Sequence, residues 1–333
     1  ERPLGSLPEG YESARIDSLS SRDNELERTH HVGISLDLNL DKWLLNASFS
    51  LNRREQVINM AQRGRDIDTT LNRLTYDAHM MARYFSDKLS ISLTYNGSSR
   101  IPTITQLVPI VDNDNPLYVT MGNPDLKSSY THHVNANVHY GRFWLNASMQ
   151  QTFNSIDYVT TYDPVSGVRT SRPDNINGQW NVMTDLGYSH DWEQFGIEGE
   201  TGYTYSRMPG YVEVDTHITR ETVRRNIIRQ MLRGSYTPEW GEFILTASAN
   251  FDCTRAKVQR QSDNNTRTYS LMAEAGVYLP WNIRLGTNFN SITRRGYLSD
   301  ESNGTEFLWN ANASWSFLKK KQASLKLEVY DIL

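Results

Sequence analysis

Strict alternation of apolar and polar residues, repeated along most of the chain, is the feature that most limits its fold. Val32, Ile34, Leu36 and Leu38 alternate with Gly33, Ser35, Asp37 and Asn39. After Asp41-Lys42 the pattern resumes, with Leu45, Ala47, Phe49 and Leu51 set against Asn46, Ser48, Ser50 and Asn52. Successive side chains on a strand point to opposite faces, whereas a helix would scatter these residues around its surface. The same period returns at Leu89–Tyr95, Val134–Tyr140, Phe143–Met149, Phe243–Phe251, Tyr269–Val277, Ile283–Phe289, Phe307–Phe317 and Ala323–Val329. Stretches near 180–190, 197–206 and 226–236 are noisier, interrupted by Gly187, Gly199, Gly202 and Gly234. The reading gives about fourteen strands in seven hairpins.

The connections alternate in length. Short ones fall at Leu40–Lys42, Ser86–Lys88, Gly141–Arg142, Asp191–Gln194, Pro238–Gly241, Pro280–Asn282 and Lys319–Gln322. Long polar stretches lie between them at Asn52–Asn72, Ser98–Ser129, Tyr162–Asn177 and Gly296–Thr305. Outer-membrane barrels show this asymmetry, with short periplasmic turns and long extracellular loops. The polar face carries Asp77, His79, Arg83, Asp185, Glu198, Glu200, Glu274, Arg284, Lys326 and Glu328, more charge than a packed core tolerates. Trp43, Tyr84, Phe85, Phe143, Trp144, Trp192, Phe195, Trp240, Phe243, Trp281 and Trp315 cluster near the short turns, as an interfacial girdle would. Together these predict an all-β, antiparallel up-and-down transmembrane barrel. A soluble secreted β-sandwich that binds carbohydrate is the alternative from another class.

Composition agrees. The formal net charge is −4, so nothing draws the chain toward nucleic acid. Cys253 is the only cysteine, which excludes a disulfide framework and a multi-thiolate metal site. Mean hydropathy is −0.60 and no apolar run is long enough for a membrane helix, as expected when only alternate residues meet lipid. Glu1-Arg2-Pro3 opens no secretory signal, so either the chain is soluble or it is the interior or mature part of a longer protein.

Residues with chemical potential have plainer readings. Adjacent histidines in His30-His31 and His132-His133 point to opposite strand faces, so neither pair chelates a metal, and no metal or cofactor is expected. Glu198 and Glu200 share a face roughly 7 Å apart, a spacing glycosidases use, but solvated lumen carboxylates are the stronger reading. Asn46, Asn146 and Asn312 each precede Ala-Ser, like glycosylation acceptors, yet each falls where an inward polar residue is needed. A Ser-His lipase-type site would need the lipid face, whereas His79 and His139 fall inward. Arg224, Arg225, Arg229 and Arg233 suggest a path for an anion, or ordinary charges of a wet lumen. Cys253 falls on the apolar face. No catalytic residue emerges, and the chain reads as a non-enzyme.

One stretch carries a family resemblance. Ile101-Pro-Thr-Ile-Thr-Gln-Leu-Val-Pro-Ile-Val-Asp112 runs through Asn115-Pro-Leu to Gly122-Asn-Pro-Asp-Leu-Lys127. It resembles the outer-membrane barrel of Bacteroidetes-type TonB-dependent receptors, which has a P-x-I-x-Q-L entry, then N-P-L and G-N-P-x-L-K-P-E. Pro102, Gln106, Leu107, Asn115, Pro116, Gly122, Asn123, Pro124, Leu126 and Lys127 match, while Ser128-Ser129 replaces Pro-Glu. Val329-Tyr-Asp-Ile-Leu333 is similar to the family's Y-D-L-L-N segment. The resemblance implies a barrel of about twenty-two strands, with residues 1–27 in an extracellular loop and 28–333 a partial barrel. It further implies energy-coupled uptake of a bulky nutrient (glycan, peptide or metal chelate) across the outer membrane. The partners implied are outer-membrane lipid, a periplasmic TonB energy transducer acting through a plug domain, and a surface lipoprotein. A non-transporting barrel for surface binding or anchoring is the alternative within the class.

Overall fold

The computed structural model describes residues 21–62, 65–108, 111–115, 117–317 and 322–333. Fourteen strands form one antiparallel sheet in which chain neighbours pair throughout. They are β1 (Ser21–Leu40), β2 (Trp43–Gln62), β3 (Arg65–Phe85), β4 (Leu89–Arg100), β7 (Ser129–Tyr140), β8 (Phe143–Phe153) and β11 (Gln179–Trp192). The second half is β12 (Phe195–Val214), β13 (His217–Tyr236), β14 (Gly241–Ala256), β15 (Asn264–Leu279), β16 (Ile283–Arg295), β17 (Gly304–Phe317) and β18 (Ala323–Val329). Among the described residues β1 and β18 are the two edges. Tight turns join the strands on one rim, and the noisy stretches are regular strands in unbroken register.

Register places the alternating residues on two continuous faces. Leu36 lies opposite Ala47, Ala47 opposite Met80, Met80 opposite Tyr95, and Tyr95 opposite Val134, one apolar row running across five strands. Asn46, Asn146 and Asn312 all stand on the other face, the first donating to Asp37 and the other two facing Asp185 and Glu328. The apolar face is uncovered: Leu36 is 55% exposed, Met80 56% and Leu93 47%. A two-layer sandwich would bury Phe49 and Leu93, so that alternative fails. Total accessible area is 22,882 Å² for 38.3 kDa, against about 14,000 Å² for a soluble monomer of this mass. An apolar solvent must cover this face.

Aromatic pairs mark where that solvent ends. On the turn rim Trp43 meets Tyr84 at 5.0 Å, Phe143 meets Tyr188 at 4.9 Å, and Phe195 stacks on Tyr236 at 4.6 Å. Toward the other rim Tyr76 stacks on Tyr130 at 5.2 Å, and Phe251 meets Tyr269 at 5.8 Å. Tyr84 and Tyr76 are eight residues apart on β3, about 26 Å along a strand, which a tilt near 40° brings close to the apolar band of a barrel. Two members of the expected girdle differ. Phe85 and Trp144 register with Ser90 and His139 on the polar face, because each is one residue out of phase with an outward neighbour.

Strands of 20 and 21 residues exceed what a membrane requires. Crossing takes about nine to eleven, so the outer halves of β1–β3 and of β12–β13 project as paired ribbon. Asn52–Asn72, expected as loop, is mostly this ribbon. So are Ser21–Glu27, placed by the sequence in a loop segment and found in register with Gln56–Gln62; residues 1–20 lie outside the described ones. The inward face of the β2 ribbon is covered, with Asn52, Gln56 and Ile58 buried, but by mostly polar residues, so its sequence carries no apolar alternation, while its backbone still satisfies itself across the ladder.

The two longest connections hold structure of their own. β5 (Val111–Asn115) and β6 (Tyr118–Met121) lie between β4 and β7, and β9 (Ser155–Tyr162) and β10 (Arg169–Ile176) between β8 and β11. They assemble into a second sheet, ordered β5-β6-β10-β9, with β6 and β10 parallel. The buried apolar residues gather at this end: Leu107, Val108, Leu126 and Ile176, with Ile58 and Ala256 on the ribbons.

Candidate functional site

The loop between β4 and β7 folds into a knot built from the residues that carried the resemblance. Pro102 is buried, and a single helical turn, α1 (Ile104–Leu107), follows it, with the Thr103 N–H donating to Gln106 Oε1 at 3.0 Å. The Asn123 N–H donates to the Gln106 carbonyl at 2.6 Å, closing the loop on itself. Asn123 Nδ2 donates to the Pro173 carbonyl at 3.0 Å, and Arg172 Nη2 donates to Asn123 Oδ1 at 2.9 Å. The Lys127 N–H donates to Asn175 Oδ1 at 2.7 Å, and Asn175 Nδ2 returns to the Lys127 carbonyl at 3.1 Å. With Gln106 Nε2 donating to Tyr158 Oη at 3.3 Å, residues Gln106, Asn123 and Lys127 lock one long loop to the other, and Leu107 and Leu126 supply the apolar centre. Asn115 caps its own turn through the Leu117 N–H at 3.0 Å; Pro124 is exposed, and Pro116 lies outside the described residues.

The knot sits against the polar face. Arg73, on that face of β3, donates through Nη1 to the Leu126 carbonyl at 2.8 Å. Around it Asn52, Gln56 and Thr75 are buried polar residues of the same face. Lower down, that face holds a cross-strand network. Arg229 Nη2 donates to Asp185 Oδ1 at 3.1 Å across the intervening β12, at Gly202. A Cβ at position 202 would collide with Asp185 Oδ1 and lie 3.2 Å from Arg229 Nη2, so glycine is what lets the pair meet over that strand. Arg225 pairs with Asp252, with Nε 2.9 Å from Oδ2, and His79 Nδ1 lies 2.7 Å from Asn96 Oδ1.

The other sequence candidates separate. Arg225, Arg229 and Arg233 share the polar face, but Arg224 has the opposite parity and points outward, so the four do not line one path. Glu198 and Glu200 stand on the polar face opposite Arg233 and Met231. His132 is on the apolar face, 2.8 Å from Tyr95 Oη, and His133 is on the other. Cys253 is outward and half-buried. Among the described residues no His, Cys, Asp and Glu group has a metal-site arrangement. Arg73, Arg172 and Asn175 escaped the sequence reading because their partners lie 53, 49 and 48 residues away.

Glu221, at the outer end of β13 and 4% exposed, organises the β14–β15 connection. Burial alone would raise its carboxyl. Backbone N–H groups of Gln259, Thr222, Val258 and Lys257 outweigh that and hold it below the usual carboxylate range. A depressed carboxylate stabilises the fold above its unfolded pKa, and that contribution is lost as pH falls through the lower folded value. The protection factors of the Lys257–Gln259 amides, exchange rates corrected for the intrinsic rate at each pH, should therefore fall as pH drops below the ordinary glutamate range. Glu221→Ala should lower the local opening free energy by about 1–3 kcal/mol at neutral pH. Unchanged exchange would refute the role.

A sheet with one uncovered apolar face, bounded by aromatic rings, and one charged face under folded loops defines an outer-membrane β-barrel protein, located in the outer membrane. Residues 78–232, a little under half of the chain, match the model of the outer membrane protein beta-barrel family. No curated protein matches the chain. Among solved structures it is similar to OmpTdeltaL8, a loop L8 deletion mutant of an outer membrane protein of Vibrio cholerae. That likeness has 8% identity, TM-score 0.31, and coverage of 90% of this chain and 89% of the other. In-vitro folded OmpT of Vibrio cholerae gives 9% identity, TM-score 0.32, and coverage of 89% and 94%.

Proposed function

We propose that this chain is the barrel part of a receptor-transporter that takes up a bulky nutrient by energy coupling, and that it is not an enzyme. The observation that supports the reading most is the knot at Pro102–Lys127, packed on the polar face by the Arg73–Leu126 hydrogen bond. A rigid loop assembly over a charged lumen gives a large ligand a binding surface at the entrance. The edges β1 and β18, unpaired among the described residues, support a ring completed by further strands, toward about twenty-two, because lipid cannot satisfy open strand edges. In that reading the partners are outer-membrane lipid, a TonB-type transducer acting on a plug domain, and a surface lipoprotein. The test is growth of the native host, with the full-length gene deleted or intact, on panels of glycans, peptides and metal chelates. Loss of growth on one bulky class, reproduced by deleting the transducer, is the expected result. Unchanged growth on every class would favour the non-transporting surface barrel.

A further inference from the structure

The outward face carries a basic patch that a nutrient path through the lumen does not use. Just beyond the outer aromatic ring, Arg224 of β13 is the register partner of both Arg207 on β12 and Arg255 on β14. Three guanidinium groups therefore stand side by side in one row. Like charges directly opposite on a sheet face repel, with Cβ atoms about 5 Å apart. Arg220 and Lys257 stand on the outer side of the row, and the group encloses a pocket of about 390 Å³. Among the described residues Asp263 is the one carboxylate in ion-pair range of the group, 3.9 Å from Arg255. Arg207 Nε is buried without a hydrogen-bond partner. On the opposite face of the same strand, Arg225 and Arg229 each have an aspartate.

Position says which anion fits. Phe251, part of the outer aromatic ring, is four residues below Arg255 on β14. That is about 13 Å along the strand, or about 10 Å of height at a tilt near 40°. Headgroups begin where the hydrocarbon ends and occupy about the next 5–8 Å. Arginine side chains reaching back from this row meet the phosphate level of the outer leaflet, from the lipid side of the sheet.

We propose that this pocket binds the phosphate of an anionic glycolipid of the outer leaflet, with Arg207 and Arg224 donating to it and Arg255, whose Nη1 and Nη2 donate to the Thr254 carbonyl at 2.8 Å and to Asn265 Oδ1 at 2.9 Å, adding its charge. The planar fork of arginine matches phosphate oxygens in pairs, and the bound anion relieves the repulsion along the row. The test uses the full-length protein in neutral detergent, with native mass spectrometry and thermal melting as readouts. The probes are bisphosphorylated lipid A, its dephosphorylated counterpart, and inorganic phosphate at the same concentration. Wild type should retain bisphosphorylated lipid A and melt higher with it, and should respond to neither of the other two. Joint replacement by Arg224→Gln and Arg255→Gln should cut retention about tenfold per guanidinium removed, while the lipid-free double variant melts no lower than wild type. Arg233→Gln, on the polar face of β13, should leave retention intact. Equal retention by the double variant would overturn the proposal, as would an equal effect of Arg233→Gln. So would a lower lipid-free melting point of the double variant, or reproduction of the shift by inorganic phosphate alone.

Discussion

Met80→Arg is expected to cost about 2–4 kcal/mol of folding free energy, measured by refolding into lipid bilayers, whereas Thr94→Arg is expected to be nearly neutral. Met80 lies on the apolar face midway between Tyr84 and Tyr76, 56% exposed, in the row that also holds Leu36 and Tyr95. An arginine there places a charge near the bilayer midplane, with no protein group to receive it. Thr94 is at similar depth, but it faces Met81 and Asn135 on the polar side, where water reaches a new charge. Leu36→Arg, in the same row two strands away, should behave like Met80→Arg. Equal costs on the two faces would remove the membrane reading. The opposite ordering would invert the assignment of faces.

The midplane strands were legible for the same reason that the prediction is sharp. Lipid on one side and water on the other force a two-residue period, and Val32–Leu38 or Phe307–Phe317 record it directly. Beyond the membrane that force disappears. Residues 53–62 and 65–72 are as fully paired as the midplane segment, but the face they bury holds Gln56 beside Ile58 and the other is wet, so no apolar period marks them. Interrupting glycines blurred β11 and β12 for a different reason: Gly202 is on the polar face to leave room for Asp185 and Arg229, a constraint set by the two neighbouring strands. The knot was half legible. Its own motif could be read along the chain, but Arg73, Arg172 and Asn175 meet it only in space. The outward arginine row was hidden by a misplaced grouping, since Arg224 and Arg225 are adjacent in sequence and face opposite solvents.

Gly122→Ala should open the knot and leave the transmembrane sheet intact. A Cβ at position 122 would lie 2.6 Å from the Val108 carbonyl carbon and 2.8 Å from the Val108 nitrogen, below any distance real Cβ atoms adopt. The obstacle is backbone, which cannot rotate away as a side-chain tip can. Val108 is itself fixed, 4% exposed and donating its N–H to the Ile104 carbonyl at 2.8 Å. Relief therefore requires separating the 101–108 segment from 122–127. That separation breaks the Asn123–Gln106 hydrogen bond and uncovers Leu107 and Leu126, each at most 2% exposed. Overpacking of this kind costs about 3 kcal/mol at the upper end of its usual range. The expected readout is faster amide exchange at Asn123 and Lys127 and new tryptic cleavage after Lys127, with the β-sheet signal of the refolded protein unchanged. Gly234→Ala is the control, because nothing lies within 4 Å of a Cβ there, and it should leave both readouts as they are. Protection at Asn123 that survives Gly122→Ala would show that the knot yields without cost, and with it would fall the idea of a rigid entrance built on this loop.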